Sequence, residues 1–196
     1  MFSIEKESKN EIIINKSRFI NYLFKLDNLD DVEKHLDFVK NKHKDATHYC
    51  YAYIFLNIKR FNDDSEPSGT AGMPLLKVLE SHNLDQILTI TVRYFGGIKL
   101  GTGGLTRAYT KSVTENLKIS TINEYVDGFN FDISVSFNQK NMIEKRFNNI
   151  NNITYNNLVN YNISIKEEDF NETKMFLSNN FIDMKNIKKC LIAKKK

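Results

Sequence analysis

Tryptophan is absent from this chain of 196 residues, cysteine and proline occur twice each, and glycine eight times. Cys50 and Cys190 are too few for a disulfide framework and too distant for a CxxC pair, so a reducing cytoplasm is the expected setting. No stretch approaches the about 18 apolar residues that a membrane helix needs. The opening MFSIEKESKN alternates charge without an apolar core, so neither secretion nor membrane spanning is expected. HExxH, EF-hand and paired-cysteine patterns are all missing, and with them the usual grounds for a metal site; no cofactor is expected either. Disorder is not indicated, because 41% hydrophobic and 27% charged residues are ordinary globular values. The length suits one large or two small domains, enough to bury roughly 70% of the unfolded surface without staples.

The glycine that is present is concentrated. Six of the eight glycines and both prolines fall between Pro67 and Gly103. They sit in two segments, NDDSEPSGTAGMP and RYFGGIKLGTGGLTRAY. Glycine reaches positive φ without penalty and lets another backbone or a ligand approach closely, so the cluster marks a site made of two shaped loops. Net charge is +4, nearly balanced up to Tyr125 and basic beyond it. Lys185, Lys188, Lys189, Lys194, Lys195 and Lys196 crowd the end, where they read either as a solvated tail or as a strip for a phosphate backbone or an acidic surface. Asparagine is abundant, as in NNINNITYNN, a composition that an AT-rich genome would also produce.

Period-two alternation in EIIINKSRFINYLFKL predicts paired strands near Ile12 to Leu26, and His48 to Leu56 reads as a central strand. Asp30 with Glu33 resembles a capping box, followed by a helix bearing Val32, Leu36 and Val39 on one face. Thr70 and Pro74 open an apolar helix, and QILTITVRYF is the next strand. Leu105, Ala108, Ser112, Val113 and Leu117 define a helix after the second glycine loop. Both loops thus precede helix starts, whose exposed amides favour anions. The pattern restarts between Glu124 and Gly128. A strand from Phe129, a helix capped by Asn138, two strands in ITYNNLVNYNISI, a helix from Phe170 with an Asp169/Glu172 capping box, and a last strand MKNIKKCLIA give β-α-β-β-α-β order, the ferredoxin-like arrangement. The expected division is 1–125 and 126–196, with fold class α+β.

Nucleotide fingerprints fail on the glycine loop. In GTGGLT the third fingerprint glycine would be Thr106, and no lysine-serine or lysine-threonine pair follows a GxxxxG. Recognition of a partner is the functional alternative to a tight turn for Gly96, Gly97, Gly101, Gly103 and Gly104. Arg93, Lys99 and Arg107 flank this loop and Asp63, Asp64 and Glu66 the other. Two readings stand: a structural clamp between the loops, or a binding site in which Arg93, Lys99 and Arg107 contact phosphate or acidic groups, Arg107 through its planar fork. Tyr94, Phe95 and Tyr109 are candidates for base stacking, against the plainer reading of core aromatics. Ser65, Ser68 and Thr70 offer hydroxyls and His48 a base, yet no GxSxG elbow orders them. A metal reading would draw on His48, Cys50 and the acidic loop; a buried His48 and Cys50 is the simpler reading. His35, His43 and His82 read as surface positions.

Four segments taken together resemble the IMPACT/YigZ family: KSRFI at Lys16, DATHYCYAY at Asp45, DDSEPSGTAGMP at Asp63 and RYFGGIKLGTGGLTRAY at Arg93. Two positions depart, Tyr51 where the family usually has tryptophan and Ser65 where glycine is frequent. The resemblance implies a first domain of the ribosomal-protein and elongation-factor βαβ kind, and a second resembling the last domain of elongation factor G. It further implies translation-linked regulation, with RNA, the ribosome or a translation factor as partner, and brings no catalytic residues with it. The rival class is a hydrolase using the DDSEPSGTAG carboxylates as general acid or base.

Overall fold

A computed structural model describes residues 1–56 and 58–194, so Lys195 and Lys196 of the basic end lie outside the described residues. The chain divides into two compact units, Met1–Glu124 and Tyr125–Lys196. The first contains β1 (Phe2–Ile4), β2 (Ser8–Ile14), β3 (Ser17–Lys25), α1 (Asp31–Lys42), β4 (His48–Phe55), β5 (Ile58–Asn62), α2 (Gly72–Ser81), β6 (Ile87–Tyr94) and α3 (Gly101–Ile119). Five strands form an antiparallel sheet in the order β2-β3-β6-β4-β5. Asn15 and Lys16, both at positive φ, make the two-residue turn between β2 and β3 that pairs Ile14 with Ser17.

Over β3 and β6 both faces of this sheet are covered, which is why these two strands read as near-continuous apolar runs. Phe19, Leu23, Cys50, Ala52 and Ile54 pack against Leu75, Leu79, Leu105, Tyr109 and Val113 of α2 and α3. The alternate residues Ile20, Tyr22, Phe24, Leu88, Ile90 and Val92 pack against Val32 and Val39 of α1. A buried polar network ties α3 to the sheet: Asn21 Nδ2 donates to Thr89 and Thr91 Oγ1 (2.7 and 2.9 Å), and Asn116 Nδ2 donates to Asn21 Oδ1 (2.8 Å). Such a network favours one helix register where apolar packing alone would tolerate others, although Asn116 Oδ1 has no partner among the described residues.

The second unit takes up β7 (Ile122–Val135) from Tyr125 onward and adds α4 (Lys140–Arg146), β8 (Ile150–Tyr155), β9 (Val159–Lys166), α5 (Phe170–Asn179) and β10 (Lys185–Ala193). The first three residues of β7 pair with β1; the rest builds an antiparallel sheet in the order β10-β7-β9-β8. Phe131, Ile133, Val135, Tyr161 and Ile163 face a core with Ile143, Phe147 and Leu177. The residues between them face outward and bond to each other: Asn130 Nδ2 to Asn162 Oδ1 (2.8 Å), Asn162 Nδ2 to Asp132 Oδ1 (2.7 Å) and Ser134 Oγ to Asn160 Oδ1 (2.7 Å). The asparagine-rich composition therefore has a structural use as a cross-strand amide ladder.

Local expectations need four corrections. At α1 the N-cap Asp30 makes no side-chain cap bond; Asp31 instead accepts from the Asp27 and Asn28 amides (both 3.2 Å). Before α4 the capping pair is Ser136 and Gln139, with its cap two residues ahead of Asn138, because a 3₁₀ turn precedes the helix. Asp169 caps nothing with its side chain, and Glu172 pairs with Arg146. Lys185, Lys188 and Lys189 belong to edge strand β10, where Lys189 approaches Glu167 (3.6 Å), rather than to a solvated tail.

Candidate functional site

The acidic loop folds around one carboxylate. Asp63 Oδ1 accepts from the amides of Ala71 (3.0 Å) and Gly72 (2.8 Å), and Oδ2 from that of Gly69 (2.8 Å). These are amides at the start of α2, so an anion of the protein's own occupies the place where a helix dipole favours one. Asp64 and Ser65 take left-handed backbone (φ +42° and +65°), a conformation that suits glycine and accounts for the tight reversal. Asp64 then ties the loop to β4, accepting from the Tyr49 amide through Oδ2 (2.6 Å) and from His48 Nδ1 through its carbonyl (2.7 Å). Gly72 passes so close to Asn62 that a Cβ would lie 2.6 Å from its carbonyl oxygen. Thr70 is buried and donates to the Pro67 carbonyl (2.6 Å), whereas Ser68 is exposed.

Beneath the loop lies a buried charged centre. Glu66 Oε1 accepts from Arg93 Nη1 (2.6 Å) and from the Tyr109 hydroxyl (2.8 Å). The side chains of Glu66 and Arg93 are 3% and 6% exposed, so this is an interior ion pair, and Arg93, expected among the phosphate-contacting cations, is instead committed to Glu66. The Arg93 guanidinium stands 5.5 Å from both the Phe19 and Phe95 rings, and its Nε has no partner. His48 must carry its proton on Nδ1, because the Asp64 carbonyl can only accept; its Nε2 lies 3.8 Å from Glu66 Oε1. The Cys50 thiol is within reach of the Asp63 carbonyl (3.0 Å) and the Tyr109 hydroxyl (3.3 Å). Burial pushes the pKa of both Cys50 and Tyr109 well up, so the thiol and the phenol stay neutral.

The glycine loop is built differently. At Gly96 the chain crosses the β2–β3 turn so tightly that a Cβ would fall 2.0 Å from the Lys16 carbonyl carbon, and the Gly96 amide donates to Ser17 Oγ (3.1 Å). Gly97 and Gly101 take positive φ (+83° and +68°). Helix α3 begins at Gly101, so Gly103 and Gly104 are helical residues of its first turn and Arg107 belongs to the second. Its N-cap is Leu100, which offers no side-chain acceptor. Lys99 and Arg107 are exposed and, among the described residues, make no ion pair. A Cβ on Gly103 would touch Arg107 Nη1 at 3.5 Å, which places the guanidinium beside the bare amides of the helix start.

The residues singled out in the sequence thus separate into three environments. Asp63, Asp64, Thr70 and His48 shape the acidic loop; Glu66, Arg93 and Tyr109 form the interior pair and its support; Lys99, Gly101, Gly103, Gly104 and Arg107 remain at an accessible helix start. Tyr109 is fully buried, edge-on to Phe19 at 5.3 Å, and has no face for a base. Tyr94 points to the α1 side, its hydroxyl on His43 Nδ1 (2.9 Å) and Arg18 over its ring at 5.1 Å. His43 is buried rather than exposed, held also by the Tyr22 hydroxyl (2.7 Å), and burial lowers its pKa. Sequence reading gave Ser17 no role in the site, although KSRFI contains it; its hydroxyl holds the glycine loop from 79 residues away.

Fold, loops and motif spacing together define an IMPACT-type domain, and residues 15–117 match the family model for the Impact N-terminal domain. The chain belongs to this family. IMPACT family member YvyE of Bacillus subtilis is 45% identical over 119 residues, 59% of this chain and 55% of the relative. The chain thus spans just over half the length of that relative. IMPACT family member YigZ of Escherichia coli is 35% identical over 136 residues, 67% of each chain. A crystal structure described only as that of a hypothetical protein superposes with a TM-score of 0.67 at 26% identity, over 100% of this chain and 97% of the other.

Proposed function

We propose that this chain is a translation-linked regulatory or binding protein of the cytoplasm that meets RNA, the ribosome or a translation factor at the start of α3. The supporting observation is a contrast in satisfaction. Asp63 fills the start of α2, while that of α3 has, among the described residues, no capping side chain and is flanked by Lys99 and Arg107, which make no ion pair there. Backbone amides, a helix dipole and a guanidinium fork converging on one place suit a phosphate or a carboxylate. The second unit supports the same reading. Its β-α-β-β-α-β order and antiparallel sheet suit a ferredoxin-like module of the kind found at the end of elongation factor G. Family and fold analogy supply the translation setting; the site supplies the chemistry of the contact.

Co-sedimentation with ribosomes from the protein's own cell extract, at low and high salt, tests this reading. Wild type should bind in a salt-sensitive way and Lys99→Ala/Arg107→Ala should not, with melting unchanged. Equal binding by both proteins, or binding by neither, would refute it. Nuclease treatment then separates an RNA contact, which it abolishes, from a protein contact.

A further inference from the structure

The face of the first sheet that carries α1 is only partly covered. Helix α1 lies over β3 and β6, where Val32 and Val39 are buried. Beyond it β4 presents Tyr51 and Tyr53, half-buried and on the same side of the strand. Between helix and strand runs a groove of about 630 Å³ whose floor is these two rings and Leu36, and whose helix wall carries Asp30, Glu33 and Asp37. That volume falls within the range of sites that accept small ligands or a few peptide side chains.

Three observations fix the chemistry of what would fill it. Asp30, Glu33 and Asp37 are exposed, recur along one helical stripe and, among the described residues, have no ion-pair partner. The one lysine lining the groove, Lys34, pairs with Asp31 (2.9 Å) and also faces Asp30, while the neighbouring Arg60, cross-strand from Tyr53, keeps its charge and donates to the Lys59 carbonyl (2.9 Å). The Tyr51 and Tyr53 hydroxyls make no hydrogen bond among the described residues, unlike that of Tyr49, which donates to the His43 carbonyl. In a chain of net charge +4, this wall sets the four carboxylates of Asp30, Asp31, Glu33 and Asp37 against one lysine, Lys34, above two aromatic faces. Carboxylates and ring faces both attract cations, and Leu36 suits the aliphatic stem of a long basic side chain. Phosphates would be repelled.

We infer that the groove between α1 and β4 is a docking site for a lysine- or arginine-bearing peptide segment of a protein partner. Charge complementarity carries the choice of occupant, and the site is independent of the α3 loop on the other side of the sheet. Basic side chains lie across Tyr51 and Tyr53 with their charged ends on Asp30, Glu33 and Asp37. Binding weakens as salt rises, because the carboxylates are solvent-exposed.

The test is fluorescence anisotropy of the full chain with a fluorescein-labelled hexalysine peptide, with unlabelled hexaarginine and hexaglycine as competitors. Wild type should bind hexalysine. Asp30→Asn/Glu33→Gln/Asp37→Asn should bind it at least about tenfold more weakly, the equivalent of about 1.4 kcal/mol. Tyr51→Ala/Tyr53→Ala should also weaken it, and hexaarginine, but not hexaglycine, should displace the peptide. Circular dichroism establishes that each variant is folded; should the triple variant unfold, the single reversal Glu33→Lys on the exposed helix face takes its place with the same expected loss. Wild-type affinity in the neutralised protein, no binding by wild type, or displacement by hexaglycine as readily as by hexaarginine would each overturn the assignment.

Discussion

Helices α2 and α3 both begin in glycine-bearing loops of similar look, yet their first turns are satisfied by different means. The start of α2 is closed from within: one carboxylate, Asp63, takes three loop and helix amides. The start of α3 has a leucine as its N-cap and exposes Gly101 and Gly103, with two cations and, among the described residues, no side-chain acceptor. The same backbone device therefore serves stability at one helix and is left available at the other. Loop glycine marks where a chain is shaped, and the partners of the amides decide what the shape is for.

Substitutions on the closed side should be severe. Arg93→Ala leaves the Glu66 carboxylate buried without its cation, a loss of about 3–5 kcal/mol by the usual cost of breaking an interior pair; urea unfolding of the variant checks it. Asp63→Ala uncaps α2 and releases the loop, for about 2 kcal/mol, the upper end of cap deletions. Should Asp63→Ala melt like wild type, the contrast between the two helix starts would lose one side.

The buried His43 provides a control away from both loops. Its pKa in the folded protein is lowered, chiefly by burial, so the unfolded chain binds the proton more readily. Its contribution is then fully present above the ordinary histidine value of about 6.5 and is lost as pH falls below it. Unfolding free energies measured at neutral pH and near pH 5 should show this decline, and His43→Asn, though weaker throughout, should flatten that part of the profile. A slope unchanged by the substitution would assign the acid sensitivity elsewhere.

The smallest effect belongs to the open side. Lys99→Ala/Arg107→Ala removes exposed side chains without ion pairs, so stability should move by no more than about 0.5 kcal/mol. Thermal melting checks it. A larger loss would mean that these cations serve the fold after all.

Much of the fold is legible in the sequence, because alternating residues of β4 and β7 and the apolar stripes of α1 and α3 each carry a clear period. The two glycine segments are legible as a place. Their roles are not, since Asp63 and Glu66 stand three residues apart with similar chemistry; one meets amides and the other an arginine from a strand 27 positions away. Tyr109 is equally ambiguous, because a helix buries or exposes a ring according to what lies opposite, here Phe19. His43 looks like a surface residue until Tyr22 and Tyr94 converge on it from neighbouring strands.

The contrast between the helix starts is tested most directly by amide chemical shifts of the isotopically labelled chain during titration with a short RNA oligonucleotide. The account predicts that Gly101, Thr102, Gly103 and Gly104 shift while Ala71 and Gly72, already bonded to Asp63, stay in place. Shifts at Ala71 and Gly72 with none at Gly101 to Gly104 would contradict it.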